Sequence, residues 1–279
     1  MPRLRSSLLV VSSLLVLGFV LPTTVVGQSR HGRPFHVLSA VPRAVGVHEV
    51  GLGFEYHVDL EPVPLLGTKV EGEVLKAGVI SHLVGTGHVN ILAEGVAYQT
   101  FDPNEAEFDS DSEIGDSALW AMMGLLPQKG RRPAAGFFFG VKVPNASDES
   151  GLGTDETDVH MGIAISHESE SHDVRVNLGV SILGDPKAER AQEDLFRFGV
   201  AGRHGRRHAF TWQVHGLAFA PEDERNLEQT FAQVGYQLRR DRFRVDASAI
   251  FGVIDSDSTG VGLGATWLFG PKGERDGHE

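Results

Sequence analysis

The chain has 279 residues, 37 acidic against 25 basic, and no cysteine; it can bury a sizeable core, yet no disulfide staples that core and no lipidated cysteine anchors it. The formal charge of −12 excludes nucleic acid as a partner and excludes attachment to an anionic membrane surface by net charge. Glycine, at 34 residues or roughly 12% against an average near 7%, and the lack of any long helical pattern predict a sheet protein with many tight turns.

The first stretch reads as an export signal. Arg3 and Arg5 precede the apolar run Leu8 to Leu21, and Val25, Val26 and Gly27 offer small residues for cleavage, so residues 1–27 are expected to be removed. That run is too short, and wrongly flanked, for a membrane anchor. Losing two arginines and no acid takes the charge from −12 to −14. Residues 28–47 contain Arg30, Arg33, Pro34, Pro42 and Arg43 without a sustained period. They are expected to form an extended periplasmic segment or a small plug.

From Val50 the alternation is regular. Val50, Leu52, Phe54, Tyr56, Val58 and Leu60 share one face, and Glu49, Glu55, His57 and Asp59 lie on the other, as in a transmembrane strand of about eleven residues. Further strands are predicted over Lys69–Leu83, Val89–Phe101, Ala118–Leu126, Ala135–Val143, Val159–His167 and Val174–Leu183. Five more follow over Leu195–Gly202, Ala209–Ala220, Thr230–Leu238, Phe243–Val253 and Val261–Phe269. Within Lys69–Leu83 the alternation slips between Val74 and Leu75, which predicts a bulge there or a misplaced strand boundary.

The connections alternate in length and charge. Gly85–His88, Gln128–Arg132, Glu168–Ser171, Arg203–His208 and Arg239–Arg242 are short, and most of them basic; the intervening ones are longer and mostly acidic. Twelve strands with short turns on one rim and long loops on the other predict an all-β, antiparallel outer-membrane barrel over residues 48–270, both termini periplasmic, with a tail over 271–279. The competing fold is a soluble β-sandwich or secreted lectin-like sheet. Three Trp and three Tyr make thin aromatic girdles, resting on Trp120, Trp212, Trp267 and several Phe.

Few residue groups suggest chemistry. Asp109, Asp111 and Glu113 alternate as calcium ligands could, without the spacing of a binding loop, so a solvated acidic loop is expected. His204 and His208 sit in a basic turn with no completing ligand. His160 and Ser166 share a face but lie about 20 Å apart along one strand, too far for a catalytic dyad. Gly151 and Gly153 read as turn glycines, with no lysine or helix following them as a phosphate loop needs. No cofactor, metal or catalytic residue is expected.

The inward faces are the better lead. With the apolar residues toward lipid, a lumen receives Glu55, Asp59 and Glu94 early in the chain, Lys142 and His160 in the middle, and Arg175, Arg197, His215 and Arg244 late. Acids early and arginines late would face each other across the barrel and orient polar solutes. Neutralisation in a closed, structural lumen is the alternative.

Phe139-Gly140-Val141-Lys142-Val143-Pro144, followed by Gly151-Leu152-Gly153-Thr154 and Asp158, resembles the signature of the outer-membrane transporter family grouped under the meta-pathway of phenol degradation. Ile114-Gly115-Asp116, Val234-Gly235-Tyr236, Asp255-Ser256-Asp257 and Gly262-Leu263-Gly264-Ala265-Thr266-Trp267 resemble further elements of it. The family's Pro-Thr-Gly-Asp turn is here Pro144-Asn145-Ala146-Ser147, and Phe269 is followed by residues 270–279 where such barrels commonly end on an aromatic residue. The resemblance implies an outer-membrane channel passing small molecules, aromatic or hydrophobic ones among them, with membrane lipid, lipopolysaccharide and the barrel-assembly machinery as partners. A barrel-embedded enzyme acting on lipid or lipopolysaccharide is the other reading.

Overall fold

The computed structural model describes residues 36–61, 70–105, 109–148, 150–184, 192–219, 229–254 and 257–270. The expected signal segment, residues 28–35, the tail 271–279 and parts of the longer loops lie outside them, as do Asp255 and Ser256.

Period-2 alternation dictates the architecture. The strands are β1 (His48–Leu60), β2 (Gly72–Gly85), β3 (Val89–Pro103), β4 (Asp111–Glu113), β5 (Ser117–Leu126), β6 (Ala134–Val143) and β7 (Asp158–Glu168). They continue with β8 (His172–Gly184), β9 (Gln192–His204), β10 (His208–Ala218), β11 (Thr230–Arg240), β12 (Phe243–Ile254) and β13 (Thr259–Phe269). Each pairs antiparallel with its neighbour, and β1 pairs with β13 from His48↔Phe269 to Val58↔Thr259. That last ladder closes the sheet and removes the sandwich alternative. The three-residue β4, which alternation does not reveal, only lengthens the sheet beside Gln99–Phe101 of β3. Twelve strands therefore make the wall.

The wall is apolar outside and polar inside. Leu263 is 57% exposed, Leu119 53% and Phe210 53%, whereas Lys142 is 2% exposed and Glu55 5%. A soluble barrel has the opposite arrangement, and an exterior apolar band this extensive needs an apolar solvent. No helix among the described residues is long and apolar enough to cross a membrane; the strands are. Thirteen residues of β1 at about 3.3 Å each cover a hydrocarbon band of about 25 Å even when tilted.

The bulge falls at Gly78, four residues beyond the expected slip. Gly53 pairs with Val79 and Phe54 with Ala77, so Gly78 is left out of the ladder. Its φ of 66° is the left-handed region that glycine enters without strain. Val74 and Lys76 point inward on one side of it, and Val79 and Ser81 on the other.

Trp120 is also not where the girdle reading placed it. It is fully buried inside the barrel, together with Leu92, Met122, Ala134, Phe138 and Ala164. The cause is in the register: Trp120 lies opposite Gly140, which lies opposite His160. With no side chain at Gly140, the indole crosses β6 and stacks on His160 with ring centroids 5.2 Å apart.

Candidate functional site: an occupied lumen

Residues 36–44, ahead of β1, run inside the barrel. The amides of His36, Leu38 and Ala40 donate to Gln213 Oε1 (2.8 Å), Asn177 Oδ1 (2.6 Å) and Ser166 Oγ (2.9 Å). Alternate amides of an extended segment thus meet polar side chains on β10, β8 and β7 in turn. Asn177 Nδ2 returns a bond to Leu38 O at 3.0 Å, and Asn90 both accepts from Arg43 N (2.7 Å) and donates to Val41 O (3.0 Å). Inward amide side chains complete a backbone that would otherwise be buried without partners. Leu38 and Ala40 pack into the same apolar cluster as Trp120.

Arg43 anchors this segment electrostatically. Its Nε donates to Glu49 Oε1 at 3.0 Å and an Nη to Glu168 Oε2 at 2.8 Å, while Ser39 Oγ donates to the other oxygen of Glu168. Arg175 reaches Asp173 at 2.6 Å and Glu168 at 3.4 Å, and Arg244 approaches Glu49 at 3.7 Å. The charges of this region are compensated in local clusters. Beside Arg43, Glu49 and Arg175 is a cavity of ≈ 50 Å³, lined also by Leu83, Leu92 and Met122.

A second construction closes the loop end. Lys142, on β6, donates to Thr154 Oγ1 at 2.8 Å and pairs with Asp158 at 2.9 Å; Asp116 stands 3.8 Å away. Asp116 Oδ1 accepts from the amides of Asn145 and Ala146, each at 2.7 Å, and Glu113 accepts from Ser147 N and Ser150 Oγ. Burial pushes the Asp116 carboxyl up to about 6, against the lowering pull of Lys142 and of the two amides. Held this way, the described residues of the loop 144–157 fold inward and set Leu152 among Leu60, Val70, Val74, Phe101, Phe231 and Ile250. Asp116, Lys142, Thr154 and Asp158, read in the sequence as pieces of a family signature, converge on one buried knot. Glu113, weighed as a calcium ligand, is a loop fastener.

The predicted lumen residues fall in several places. Glu55 and Glu94 are buried inward, Glu55 3.1 Å from His57. Asp59 is exposed instead: β1 loses register between His57 and Leu60, Asp59 takes φ 51°, Leu60 occupies the inward position, and Asn104 donates to Asp59 Oδ1 at 2.9 Å. Arg197 crosses to lie over the Trp120 ring, 5.4 Å from its centroid. His215 is stacked between His36 (4.2 Å) and Phe231 (6.1 Å). His160 hydrogen-bonds Ser181 Oγ at 2.8 Å on the adjacent strand, while Ser166 bonds the N-terminal segment. His204 bonds His172 and Trp212 and His208 bonds Tyr236, so the two do not pair. Sequence reasoning overlooked Arg43 and Glu168 as site residues; the signal that could have found them is the row of inward Asn90, Asn177 and Gln213, which need a backbone to bond.

No protein-family model matches the chain, and no curated protein matches it. Solved structures do. An outer-membrane channel from Pseudomonas putida F1 superposes with a TM-score of 0.62 at 14% identity, over 82% of this chain and 98% of its own. The NanC porin gives 0.52 at 6% identity, over 78% and 98%. Outer-membrane phospholipase A from Escherichia coli gives 0.43 at 10% identity, over 80% and 92%. At these identities the likeness is one of fold: this chain is a closed twelve-stranded antiparallel barrel that superposes on outer-membrane barrels of known structure.

Proposed function

We propose that the protein is an outer-membrane channel for small molecules, its short turns periplasmic and its long loops extracellular. The observation that carries this reading is an apolar exterior around a polar, ion-paired lumen that is filled by residues 36–44 and by the inward loop 144–157. The ≈ 50 Å³ cavity beside Arg43 has room for a few waters, far below the ~300 Å³ of a small ligand pocket. On this reading a solute passes when the N-terminal segment, which fills the lumen beside this cavity, moves aside. Glu55, Glu94, Lys142, His160, Arg175, Arg197, His215 and Arg244 then line its path, with Asp59 at the outer entrance. Aromatic or hydrophobic solutes suit the collar of Leu60, Phe101, Leu152 and Phe231. Conductance in planar bilayers tests this: the full chain should pass little current and a variant lacking residues 28–44 much more. Silence from both, with correctly folded protein in the bilayer, would overturn the reading.

One observation favours a second reading, a barrel-embedded hydrolase: the hydrogen bond from Ser181 Oγ to His160. Ser181 is, however, fully buried, and Trp120 covers the face of its partner. A nucleophile needs an approach for substrate. Phospholipid or lipopolysaccharide hydrolysis that disappears in Ser181→Ala would establish the enzyme over the channel.

A further inference from the structure

The acidity of the chain hides a strongly basic edge. At the turn end, β5 and β6 are joined by a small hairpin in which Lys129 and Arg132 exchange backbone hydrogen bonds of 3.1 and 3.0 Å. Gly130 at its tip has φ 57°, and its carbonyl accepts from His167 at 3.2 Å. Gln128 continues the ladder by bonding both the amide and the carbonyl of Glu168, each at 2.8 Å. This projection is thus fastened to the wall and presents Arg131 and Arg132 exposed. On the same rim the β9–β10 turn exposes Arg206 and Arg207 and the β11–β12 turn Arg240 and Arg242, while the β7–β8 turn between them and the hairpin carries Glu170. Two acids share this edge, Glu170, which pairs with Arg206 at 3.1 Å, and exposed Asp241 between Arg240 and Arg242, so the basic side chains outnumber them; Glu168 and Asp173 are turned to the lumen side, where Arg175 meets both.

Directly above these arginines the outward face changes character. Leu125 (60% exposed) and Leu126 stand over the hairpin, and Phe210, Tyr236 and Phe269 over the other turns. Level with Phe210 and Phe269, which pair with His204 and His48, lie outward histidines in cross-strand pairs, His48 with His82 and His172 with His204, each at 3.1 Å between ring nitrogens. Trp212 Nε1 donates to His204 at 3.2 Å. Imidazoles, with an apolar body and a polar tip, occupy the depth that Trp and Tyr hold in other barrels. Arginines one step further out reach the depth of lipid phosphates.

We propose that the turn rim is a binding collar for the phosphate headgroups of anionic phospholipids in the leaflet on that side. The net charge of the chain pointed away from anionic membrane surfaces; its distribution reverses that conclusion for this one edge. The occupant follows from charge complementarity and from guanidinium groups set just beyond the level where imidazoles and aromatic rings end the apolar band. The inference rests on the barrel's sitting in a bilayer.

The test uses the full chain in nanodiscs of phosphatidylcholine doped with phosphatidylglycerol, with retained lipid measured by native mass spectrometry. Phosphatidylglycerol should be enriched over its bulk share by roughly fivefold, the effect of one basic side chain at an anionic surface. The enrichment should vanish in the variant Arg131→Gln/Arg132→Gln/Arg206→Gln/Arg207→Gln and survive the corresponding Lys variant. Retained lipid that mirrors the bulk, or enrichment unchanged in the Gln variant, overturns the collar while leaving the channel reading intact. Failure of folded protein to enter nanodiscs counts against the membrane reading itself. If discs doped with lipid A instead show Arg-dependent enrichment of lipid A alone, the rim belongs to the opposite leaflet and the proposal is wrong.

Discussion

Arg43 and Glu168 lie 125 positions apart in the chain and meet at 2.8 Å inside the barrel. One guanidinium thereby joins the N-terminal segment to the end of β7, and through Glu49 to the start of β1. Two carboxylates depend on it. The partly buried setting makes the pair stronger than a surface ion pair and costly to break from one side.

Replacing Arg43 with Ala should therefore loosen residues 36–44 without dismantling the wall. The expected result is a severalfold rise in single-channel conductance, with a loss of roughly 2 kcal/mol in urea unfolding, since the two acids keep some access to water. Arg43→Lys restores one contact at a time and should give an intermediate conductance. Current identical to the parent in both variants would show that the segment stays seated without its guanidinium.

Lys142 holds the other closure. It is almost fully buried against Asp158, Thr154 and Asp116, so Lys142→Ala leaves acids in the interior without their cation. A destabilisation of roughly 3–5 kcal/mol is expected, with protease cutting the loop 144–157 that the parent protects. Protection equal to the parent's would mean that Leu152 and the apolar collar suffice to hold the loop.

Asp116 should make that loop sensitive to pH. Its folded-state carboxyl titrates near 6, above the ordinary 3.8, because burial favours the neutral acid. A raised acid contributes stability that is fully present below pH 3.8 and is lost as pH rises through about 6. Amide exchange at Asn145 and Ala146 should therefore quicken between pH 4 and 7 beyond the intrinsic chemical rate. Asp116→Asn keeps the accepting Oδ1 and cannot ionise, so its corrected exchange should be flat across that range. A slope equal to the parent's would place the titrating group elsewhere.

The legible parts of this molecule are those a local period controls. Alternation in β1 places Leu52 outside and Glu55 inside, and repeated twelve times it specifies a barrel turned apolar side out. The position of the bulge needed more than alternation, because Gly78 rather than the visible slip at Val74 supplies the left-handed φ. Contacts across the lumen carry no local signal at all. Arg197 reaches Trp120 from a strand on another part of the wall, and nothing near Trp120 in the sequence distinguishes an inward indole from one at the lipid edge. Asp59 fails for a nearer reason, since alternation assumes that a strand stays regular to its end.

Gly140 offers the sharpest test of how the lumen is packed. A methyl group added there would lie 2.3 Å from Trp120 Cε3, so the indole must leave its place over β6. That displacement breaks the stack on His160 and the contact with Arg197 together. Gly140→Ala should cost about 1–3 kcal/mol, as overpacking does, and should shift Trp120 emission to the red in a background where Trp212 and Trp267 are Phe. Gly262→Ala is the control, because its new methyl comes no closer than 3.0 Å to Ser248 Oγ, a side chain able to rotate away. If Gly140→Ala matches that control in both emission and stability, the indole does not lie across β6, and the ordering of Arg197, Trp120 and His160 along the proposed path must be redrawn.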